Sequence, residues 1–570
     1  MTGPIQMFTS RREFLQGLVA GSTALGVGWN GNRAVTAIER EALGNARRQA
    51  AQRRRRIIYN NDGDDIFVPG AVTPEQFLAA RHMPLLGTQV DSIYFNTTQS
   101  FNLYTHRTSV AEMFLTNGPA PTVNNLPDFL KQQTDGLKMS CAFSRQHGFE
   151  SVWTMRMNDI HDAAEPLFVP QWKKTDPRRV MSTAQEVESL KDRRRLWSLV
   201  DFERPEVEPR ILEIIQEVLQ NYPVDGIDLD FMRAPFYFRT SYEGKPTTDK
   251  QTGILTQLVE KIRSLVMAES ERQGRVFLLS CRVPSTEAFC RQIGIDIRHW
   301  LQSGMIDVLS ISGGYIAFDQ QISDLITLGH AHHVPVYPCL SRSGLRHQPP
   351  VGSAIPKSVA AWNGAAACIL EKDADGIQVF NLFPGGMGNV ENDFAVSIFK
   401  TIGSKETLTL SDRIFEVCEA GLYMPAMYWA KDVEEFAGSL PILLSVRKPT
   451  VIPLMVAGPL SAPSKSVTSE LRLDITGLAE SDSPSISFNS QPLGHPSAAD
   501  NVAAIVAQVS PIPGNIVGLP SATEKGALVR RLRFAIASPN VRHGRNEIQV
   551  TLNSERAHLV GAELWVTQNS

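Results

Sequence analysis

The stretch "VDGIDLDFMRAP" (residues 224–235) begins like a buried strand, yet it carries three aspartates among its apolar residues. A strand that is covered on both faces is normally a continuous apolar run. Side chains alternate along a strand, so Asp228 and Asp230 share one face while Ile227 and Leu229 share the other. The pattern predicts a strand whose apolar face packs against helices and whose carboxylates point into a functional interior.

Short β-type runs alternate with helical patterns on both sides of this stretch. Eight such runs predict a (β/α)8 barrel, and they lie at residues 91–98, 151–159, 196–202, 225–233, 276–284, 307–315, 334–340 and 375–383. The alternative is a doubly wound open sheet. That fold more usually has about five to seven strands and a glycine-rich phosphate loop, and no G-x-G-x-x-G follows an early strand here.

The composition describes a globular chain with a large core and almost no net charge. The apolar fraction is 42%, the charged fraction is 20% and the formal net charge is -3. This balance gives no overall field that would attract nucleic acid or an anionic membrane. The six cysteines are widely spread and none has C-x-x-C spacing, so no metal site is predicted.

The N-terminus has the pattern of an export signal. Two arginines in "SRREFLQ" (residues 10–16) precede a short apolar run rich in glycine and alanine, residues 17–29. This arrangement predicts twin-arginine export and a periplasmic or secreted protein. The basic segment that follows, ending in "RRRR" (residues 53–56), is interpreted as a solvated helix or tether.

The sequence pattern changes near residue 405. Runs such as "TVIPLMVAG" and "NEIQVTLNS" recur about every ten residues with turn residues between them, which is typical of a β-sandwich. The predicted domains are a signal and tether at 1–45, a basic linker and helical lead-in at 46–88, the catalytic barrel at 89–405, a helical connector at 406–440 and an accessory β-sandwich at 441–570.

The aspartate-rich strand resembles the fourth strand of glycosyl-hydrolase-like (β/α)8 barrels of the glycoside hydrolase superfamily, which reads D-G-I-H-x-D-D-Y-R-Y-P. The matching residues are Asp225, Gly226, Ile227, Asp230, Arg233 and Pro235. The strand is also similar to D-G-x-D-x-D-x-E of family 18 chitinases, but Met232 stands where their acidic glutamate would be. The resemblance covers roughly residues 92–384 and implies a barrel that hydrolyses carbohydrate.

Glycoside hydrolysis needs two carboxyl groups, one of which holds its proton near neutral pH. Two carboxylates one layer apart in a dry interior repel each other, so one of them should have a raised pKa unless an arginine or a hydrogen bond compensates. We expect Asp230 to be the proton donor or a base, with its partner among Asp228, Asp159 and Glu287. Asp228 could instead only brace the barrel, and Glu287 could only close a helix cap.

Arginines recur at or just past the predicted strand ends, at Arg156, Arg233, Arg282 and Arg342. Guanidinium groups bind carboxylate and sulfate bidentately, so this pattern predicts a mouth that binds an anionic glycan. The alternative is that each arginine pairs with a neighbouring carboxylate. His161 and Tyr315 complete the predicted substrate-binding set.

The sequence therefore predicts an exported glycoside hydrolase that acts on a polysaccharide or oligosaccharide, acidic or sulfated in the sharper form of the hypothesis. The alternative function is a non-catalytic glycan-binding barrel, because Met232 and the lack of an acid on the seventh strand could mean that catalysis was lost. No cofactor, no nucleic acid partner and no membrane partner beyond the export signal is predicted.

Overall fold

A computed structural model of the chain describes residues 36–118, 121–182, 197–243, 245–312, 318–341, 358–385, 392–417, 440–458, 467–478, 480–503, 528–553 and 556–569. The chain divides into two compact units, residues 1–42 and residues 43–570. The described residues of the first unit start at residue 36 and form the beginning of helix α1 (Ala37–Ala51). The barrel and the β-sandwich both belong to the second unit.

Eight parallel strands form a closed barrel, which confirms the predicted fold class. They are β1 (Ile57–Asn61), β2 (Val90–Asn96), β6 (Glu150–Arg156), β7 (Gly226–Asp230), β8 (Leu278–Pro284), β9 (Val308–Ser312), β10 (Val336–Ser341) and β11 (Ile377–Phe380). The strands follow one another around the barrel in chain order, and β1 closes it by pairing with both β2 and β11. A small sheet after β2 holds β3 (Thr98–Ser100), β4 (Leu103–Tyr104) and β5 (Glu112–Met113).

Helices pack around the barrel because each presents an apolar face to the strands. In α6 (Val207–Asn221) the residues Ile211, Ile214, Ile215 and Val218 recur at helical spacing and are all buried. The remaining α-helices are α2 (Pro74–Arg81), α3 (Leu126–Lys131), α4 (Gly136–His147), α5 (Gln171–Lys174), α6 (Val207–Asn221), α7 (Arg239–Tyr242), α8 (Asp249–Gln273), α9 (Glu287–Gln292), α10 (Ile297–Gln302), α11 (Ser323–Ala331), α12 (Val359–Leu370), α13 (Asn392–Phe399) and α14 (Lys405–Thr409). Short 3-10 helices lie at Asp64–Phe67, Met83–Leu85, His161–Ala164, Pro166–Phe168, Pro177–Arg179 and Ser538–Asn540.

The start of the barrel was predicted in the wrong place. Strand β1 lies inside the segment 46–88 that was interpreted as a linker, so the barrel begins before residue 89. The run predicted as the third strand, residues 196–202, is not a barrel strand. Its described part makes an isolated antiparallel bridge between Val180 and Val200. The third strand is β6, and β7 is the fourth, as predicted.

Strand β7 has the two faces that its sequence predicted. Ile227 and Leu229 lie in the main hydrophobic core on the outer side of the barrel. Asp228 and Asp230 take the other face and contact the side chains of strand β8 inside the barrel. Asp225 braces the start of the strand, because its Oδ2 accepts a hydrogen bond from the backbone N–H of Ser151 at 2.9 Å.

The amino-terminal end of the barrel is closed by an arginine from the basic run. Arg55 is fully buried, with Nε and Nη2 each 2.7 Å from the carboxylate of Glu150. Its guanidinium also donates to the carbonyls of Ala50, Ala51 and Arg53. The interpretation of "RRRR" as solvated is therefore wrong for Arg55, and also for Arg56, which pairs with Asp91 at 2.8 Å.

The predicted β-sandwich is present as two antiparallel sheets. One has the order β12-β21-β15-β19-β18 with β13 beside β21, and the other has the order β14-β20-β16-β17. The strands are β12 (Arg413–Glu416), β13 (Ile442–Leu444), β14 (Thr450–Val456), β15 (Val467–Thr476), β16 (Ser485–Phe488), β17 (Gln491–Pro492), β18 (Ala498–Ala503), β19 (Leu528–Ile536), β20 (Gly544–Thr551) and β21 (Ala557–Gln568).

The sandwich begins earlier than predicted and packs on the barrel. Strand β12 lies in the segment 406–440 that was predicted as a helical connector, of which residues 418–439 fall outside the described residues. Helix α12 of the barrel contacts β12 closely at Gly364, where a Cβ would lie 1.9 Å from the carbonyl oxygen of Ile414. Asn363 adds a hydrogen bond to the carbonyl of Asp412 at 2.9 Å. A side chain at position 364 would thus force the two domains apart.

The cysteines and the helices of the described residues bear on two further predictions. Five cysteines, Cys141, Cys281, Cys290, Cys339 and Cys368, are free and buried, as small hydrophobic residues would be, while Cys418 lies outside the described part. Among the helices that the structure describes, none is both long and apolar enough to cross a membrane.

Removing the buried guanidinium tests the closure of the barrel. Arg55→Ala should lower the free energy of unfolding by about 3–5 kcal/mol, because it leaves the Glu150 carboxylate buried without its partner. The measurement is the urea dependence of unfolding, with Arg178→Ala as a control at an exposed arginine. A loss below about 1 kcal/mol, as for a surface pair, would contradict a structural role for Arg55.

Candidate functional site

Asp230 ends strand β7 and is held by hydrogen-bond donors on several sides. Arg282 of strand β8 donates to it bidentately, Nε to Oδ1 at 2.9 Å and Nη2 to Oδ2 at 2.8 Å. The backbone N–H groups of Met232 and Arg233 add bonds to Oδ1 at 2.8 and 3.1 Å. Donors on both oxygens favour the carboxylate form of Asp230. Of the two predicted roles, proton donor or base, this geometry favours the base, and the role stays a prediction.

The Asp230–Arg282 pair sits inside the barrel and not on an open surface. The two side chains are 2% and 3% exposed. The guanidinium carbon of Arg282 lies 4.1 Å above the ring centre of Phe380 on strand β11, a contact that stabilises the cation. The pair is therefore a buried ion pair without net charge, held in place beneath the barrel mouth.

Asp228 lies one layer deeper and has a different electrostatic environment. Its Oδ1 accepts a hydrogen bond from Ser280 Oγ at 2.8 Å, while its Oδ2 and the facing Thr154 Oγ1 have no well-formed hydrogen bond. Burial, reinforced by the negative charge of Asp230, raises the pKa of Asp228 to about 7. Of the two carboxyl groups, Asp228 is therefore the one whose surroundings favour the protonated form, and the division of catalytic roles within the pair stays a prediction.

A second charged cluster lies above this pair, after strand β6. Asp159 is completely buried, and its Oδ1 is 2.6 Å from His161 Nδ1 and 2.8 Å from the His161 backbone nitrogen. Burial opposes ionisation, but His161 and the neighbouring Arg156 hold the pKa of Asp159 well below its usual value. On the other side of the imidazole, Nε2 lies 2.6 Å from Arg233 Nη2.

The two neighbours of His161 fix the same tautomer. A carboxylate can only accept a hydrogen bond and a guanidinium can only donate one, so Nδ1 carries the proton and Nε2 presents its lone pair to Arg233. The side chains of His161 and Arg233 are 40% and 24% exposed. These two residues are therefore where a buried charge network reaches solvent.

Arg156 joins the network to strand β1. Its Nη2 is 3.0 Å from Asp62 Oδ1 and its Nη1 is 3.3 Å from Asp159 Oδ2. Burial opposes ionisation of Asp62, but Arg156 and then Arg233 hold its pKa below the usual value. Arg81 also favours ionised Asp62, and it is fixed by Asn61 Oδ1 at 3.0 Å.

Three of the four arginines predicted to form an anion-binding mouth lie in the described residues, and each of them pairs with a carboxylate. Arg156 pairs with Asp62 and Asp159, Arg233 with Asp159, and Arg282 with Asp230. Positive and negative groups are thus nearly balanced. The alternative prediction, that each arginine pairs with a neighbouring carboxylate, describes these three residues.

The remaining predicted residues do not join this network. Glu287 is on the surface in the first turn of α9, where Arg298 donates to both of its oxygens at 2.7 Å, so it has a structural contact of its own. Tyr315 and Arg342 lie outside the described residues. Among the residues that the structure describes, no group of three or more potential ligands could hold a metal ion.

Sequence reasoning missed Asp62 and Arg81. Asp62 was missed with strand β1, because a strand that is not recognised has no recognised carboxyl end, and Arg81, at the end of helix α2, was missed because it reaches the site only through its contact with Asn61 of that strand. The signal was present in "IIYNND" (residues 57–62), a short apolar run that ends in polar residues in the same way as strands β6 and β7. It was obscured by the four arginines directly before it.

Comparisons with known proteins identify similar shapes but no family. No protein-family model matches the chain, and no curated protein matches it. Among solved structures, α-L-fucosidase isoenzyme 2 from Paenibacillus thiaminolyticus is 13% identical with a TM-score of 0.41, covering 63% of this chain and 51% of its own. The chain thus spans about half the length of that enzyme.

Two further solved structures have similarly low sequence identities and TM-scores. The glycoside hydrolase domain of a Bordetella bronchiseptica protein is 13% identical with a TM-score of 0.38, covering 57% of this chain and 93% of its own. An Anoxybacillus α-amylase is 11% identical with a TM-score of 0.35, covering 88% and 98%. These values are too low to transfer an activity. The (β/α)8 fold expected from the sequence resemblance is confirmed by the closed barrel itself.

The protonated carboxyl should be visible in the pH dependence of stability. The folded protein keeps a proton on Asp228 up to about pH 7, whereas the unfolded chain releases it near pH 4. Between these values the wild type should lose about 1.4 kcal/mol of stability for each pH unit relative to Asp228→Asn, which cannot ionise. The measurement is the free energy of unfolding of both proteins from pH 4 to pH 8.

A control separates this effect from general acid sensitivity. Asp128→Asn removes a carboxylate that is 52% exposed and should give a stability curve parallel to that of the wild type. If the stability curve of Asp228→Asn also ran parallel to that of the wild type, the raised pKa of Asp228 in the folded protein would be contradicted.

Proposed function

We propose that this chain is an exported glycoside hydrolase whose substrate binds at the carboxyl ends of strands β1, β6 and β7. The observation that carries the proposal is the buried network of alternating carboxylates and arginines that reaches solvent at His161 and Arg233. The carboxyl ends of barrel strands are where barrel enzymes bind their substrates. Export is supported by the twin-arginine pattern of residues 10–29.

The chemistry of the network suits a sugar. Each hydroxyl of a sugar ring can donate one hydrogen bond and accept others, so a pair of neighbouring hydroxyls is matched by a donor beside an acceptor. Arg233 supplies N–H donors where the network reaches solvent beside His161, and the buried Asp159 and Asp62 hold the arginines in place. Because these charges nearly cancel, we propose an uncharged oligosaccharide or polysaccharide and set aside the acidic or sulfated substrate.

The two interior carboxyl groups have separate roles in the proposed reaction. Asp230 is held ionised by Arg282, and its negative charge would stabilise the positive charge that develops at the anomeric carbon. Burial and the charge of Asp230 raise the pKa of Asp228 to about 7, which lowers the average negative charge of this pair near neutral pH. His161, fixed by Asp159, is the solvent-reaching base that accepts a proton at Nε2 when the bound sugar displaces Arg233 from that nitrogen.

One observation favours the second candidate, a glycan-binding barrel without catalysis. All donors to Asp230 come from the protein itself, and its side chain is 2% exposed. A carboxylate that is saturated in this way has no oxygen left for a substrate. If the barrel only binds sugar, the network at His161 and Arg233 would still form the binding site.

Amide substitution of Asp230 distinguishes the two candidates. If the barrel hydrolyses glycans, Asp230→Asn should lower kcat on a neutral oligosaccharide by roughly a hundredfold or more, because the fixed charge is lost. Binding of the same sugar, measured by calorimetry on both proteins, should change much less. The matched control is Glu287→Gln, which changes a surface carboxylate in the same way and should keep full activity.

The two candidate functions predict different outcomes. Sugar binding without turnover by the wild type on a broad panel of polysaccharides would replace the hydrolase with the binding protein. Full activity of Asp230→Asn, with an unchanged melting temperature, would remove Asp230 from the reaction.

The proposed neutrality of the substrate has its own test. The affinity for a sulfated polysaccharide should not exceed that for its desulfated form, because the described arginines already have carboxylate partners. Binding should also change little when salt is raised, since no net charge is neutralised. Tighter, salt-sensitive binding of the sulfated form would restore the anionic substrate.

A further inference from the structure

One fully buried side chain joins the loops that carry the two solvent-reaching residues of the site. Asn158 follows the end of strand β6 by two residues and is fully buried. Its Nδ2 donates hydrogen bonds to the carbonyl of Val200 at 2.9 Å and to the carbonyl of Phe236 at 2.8 Å. Its Oδ1 accepts a hydrogen bond from the backbone N–H of Val200 at 3.0 Å. Asn158 therefore holds together the loop after β6, the segment 197–202 and the loop after β7.

These three hydrogen bonds bear on the contact between His161 and Arg233. His161 lies three residues after Asn158 in the loop after β6, and Arg233 lies three residues before Phe236 in the loop after β7. Their side chains meet at 2.6 Å, between Nε2 and Nη2. Because the two residues belong to different loops, this distance depends on how the loops are held relative to each other. Asn158 fixes that relation through the backbone.

A second buried anchor lies on the other side of His161. Asp162 Oδ1 accepts a hydrogen bond from Ser198 Oγ at 2.9 Å, and its Oδ2 accepts one from Lys173 Nζ at 2.8 Å. Lys173 belongs to helix α5 and is buried, as is Asp162. The loop after β6 is thus tied to the segment 197–202 both before and after His161.

A small apolar cluster, distinct from the main core, packs the same loops together. Leu199 of the segment 197–202 belongs to it with Ala234 and Phe236 of the loop after β7. Ile160, directly before His161, packs against this cluster. The segment that was predicted as the third barrel strand therefore supports the two loops of the candidate site.

We propose that Asn158 is a positioning residue of the sugar site, which holds His161 and Arg233 at the spacing that one sugar ring requires. The proposal rests on the proposed function, because a bound sugar is the ligand that these two groups would share. Site residues work best when a rigid surrounding shell holds them, and a misplacement of about 1 Å can cost roughly a hundredfold in rate.

The position calls for an amide. A side-chain amide donates two hydrogen bonds from nitrogen and accepts others at oxygen, which matches the two carbonyls and the one N–H around Asn158. A carboxylate of the same shape would place an acceptor against two carbonyl oxygens and could not make these bonds.

The test replaces the amide with a carboxyl group of the same shape. Asn158→Asp should weaken the binding of a neutral oligosaccharide, measured by calorimetry, by roughly tenfold or more, because the two loops lose their tie. It should also release Arg233 from His161 Nε2. Diethyl pyrocarbonate attacks a free imidazole nitrogen, so it should modify His161 about fivefold faster, the effect of losing one ordinary hydrogen bond. Mass spectrometry of the peptide that carries His161 gives this rate without any sugar.

The matched control is Asn546→Asp in the β-sandwich. Asn546 is also fully buried, and its Nδ2 donates to the carbonyls of Arg542 and Gly544 at 2.8 and 3.0 Å. Its Oδ1 accepts a hydrogen bond from the N–H of Arg542 at 2.8 Å. This variant loses the same kinds of hydrogen bond, so its melting temperature should fall as that of Asn158→Asp does. Its sugar affinity and its rate of His161 modification should equal those of the wild type.

An unchanged modification rate of His161 in Asn158→Asp, or an equal change in both asparagine variants, would show that Asn158 only stabilises the fold and would overturn the proposal. If Asn158→Asp does not fold, Ser198→Ala takes its place. That variant loses one hydrogen bond instead of three and should raise the rate by about twofold, and an unchanged rate would again overturn the proposal. A wild type that binds no sugar would remove the proposed function, and the modification rates would still decide whether Asn158 holds His161 against Arg233.

Discussion

The ion pair between Asp230 and Arg282 is the constraint on which the candidate site depends. Two aspartates on one face of strand β7 would repel each other inside a closed barrel, and a single arginine on the neighbouring strand makes their burial tolerable. It does so unequally, because its two hydrogen bonds go to Asp230 while burial and the charge of Asp230 raise the pKa of Asp228 to about 7. Above them, Arg156 and Arg233 balance Asp62 and Asp159 in the same manner.

Much of the fold could be predicted because strand and helix periodicities differ strongly in this sequence. Seven of the eight barrel strands and the β-sandwich follow from apolar runs and turn residues. Strand β1 was missed because "IIYNN" is short and follows four arginines, which suggested a solvated segment. Only the three-dimensional closure shows that Arg55 turns inward to Glu150 and that the strand behind it completes the barrel.

The site could be predicted in part, and the missing part has a physical reason. Alternation along strand β7 correctly placed Asp228 and Asp230 inside the barrel. Which carboxyl is protonated depends on the partners supplied by other strands, and Arg282 is more than fifty residues from Asp230 in the chain. The arginines looked like an anion site because a sequence shows charges without their partners. Asp62, the partner of Arg156, became visible only once β1 was placed.

The central claim is that a neutral sugar binds where the charge network reaches solvent. A crystal structure of the protein soaked with a neutral oligosaccharide that it binds tests this claim most directly. We expect the sugar ring within hydrogen-bonding distance of His161 and Arg233, above the ion pair of Asp230 and Arg282. A sugar bound on the β-sandwich, with the barrel mouth empty, would contradict it.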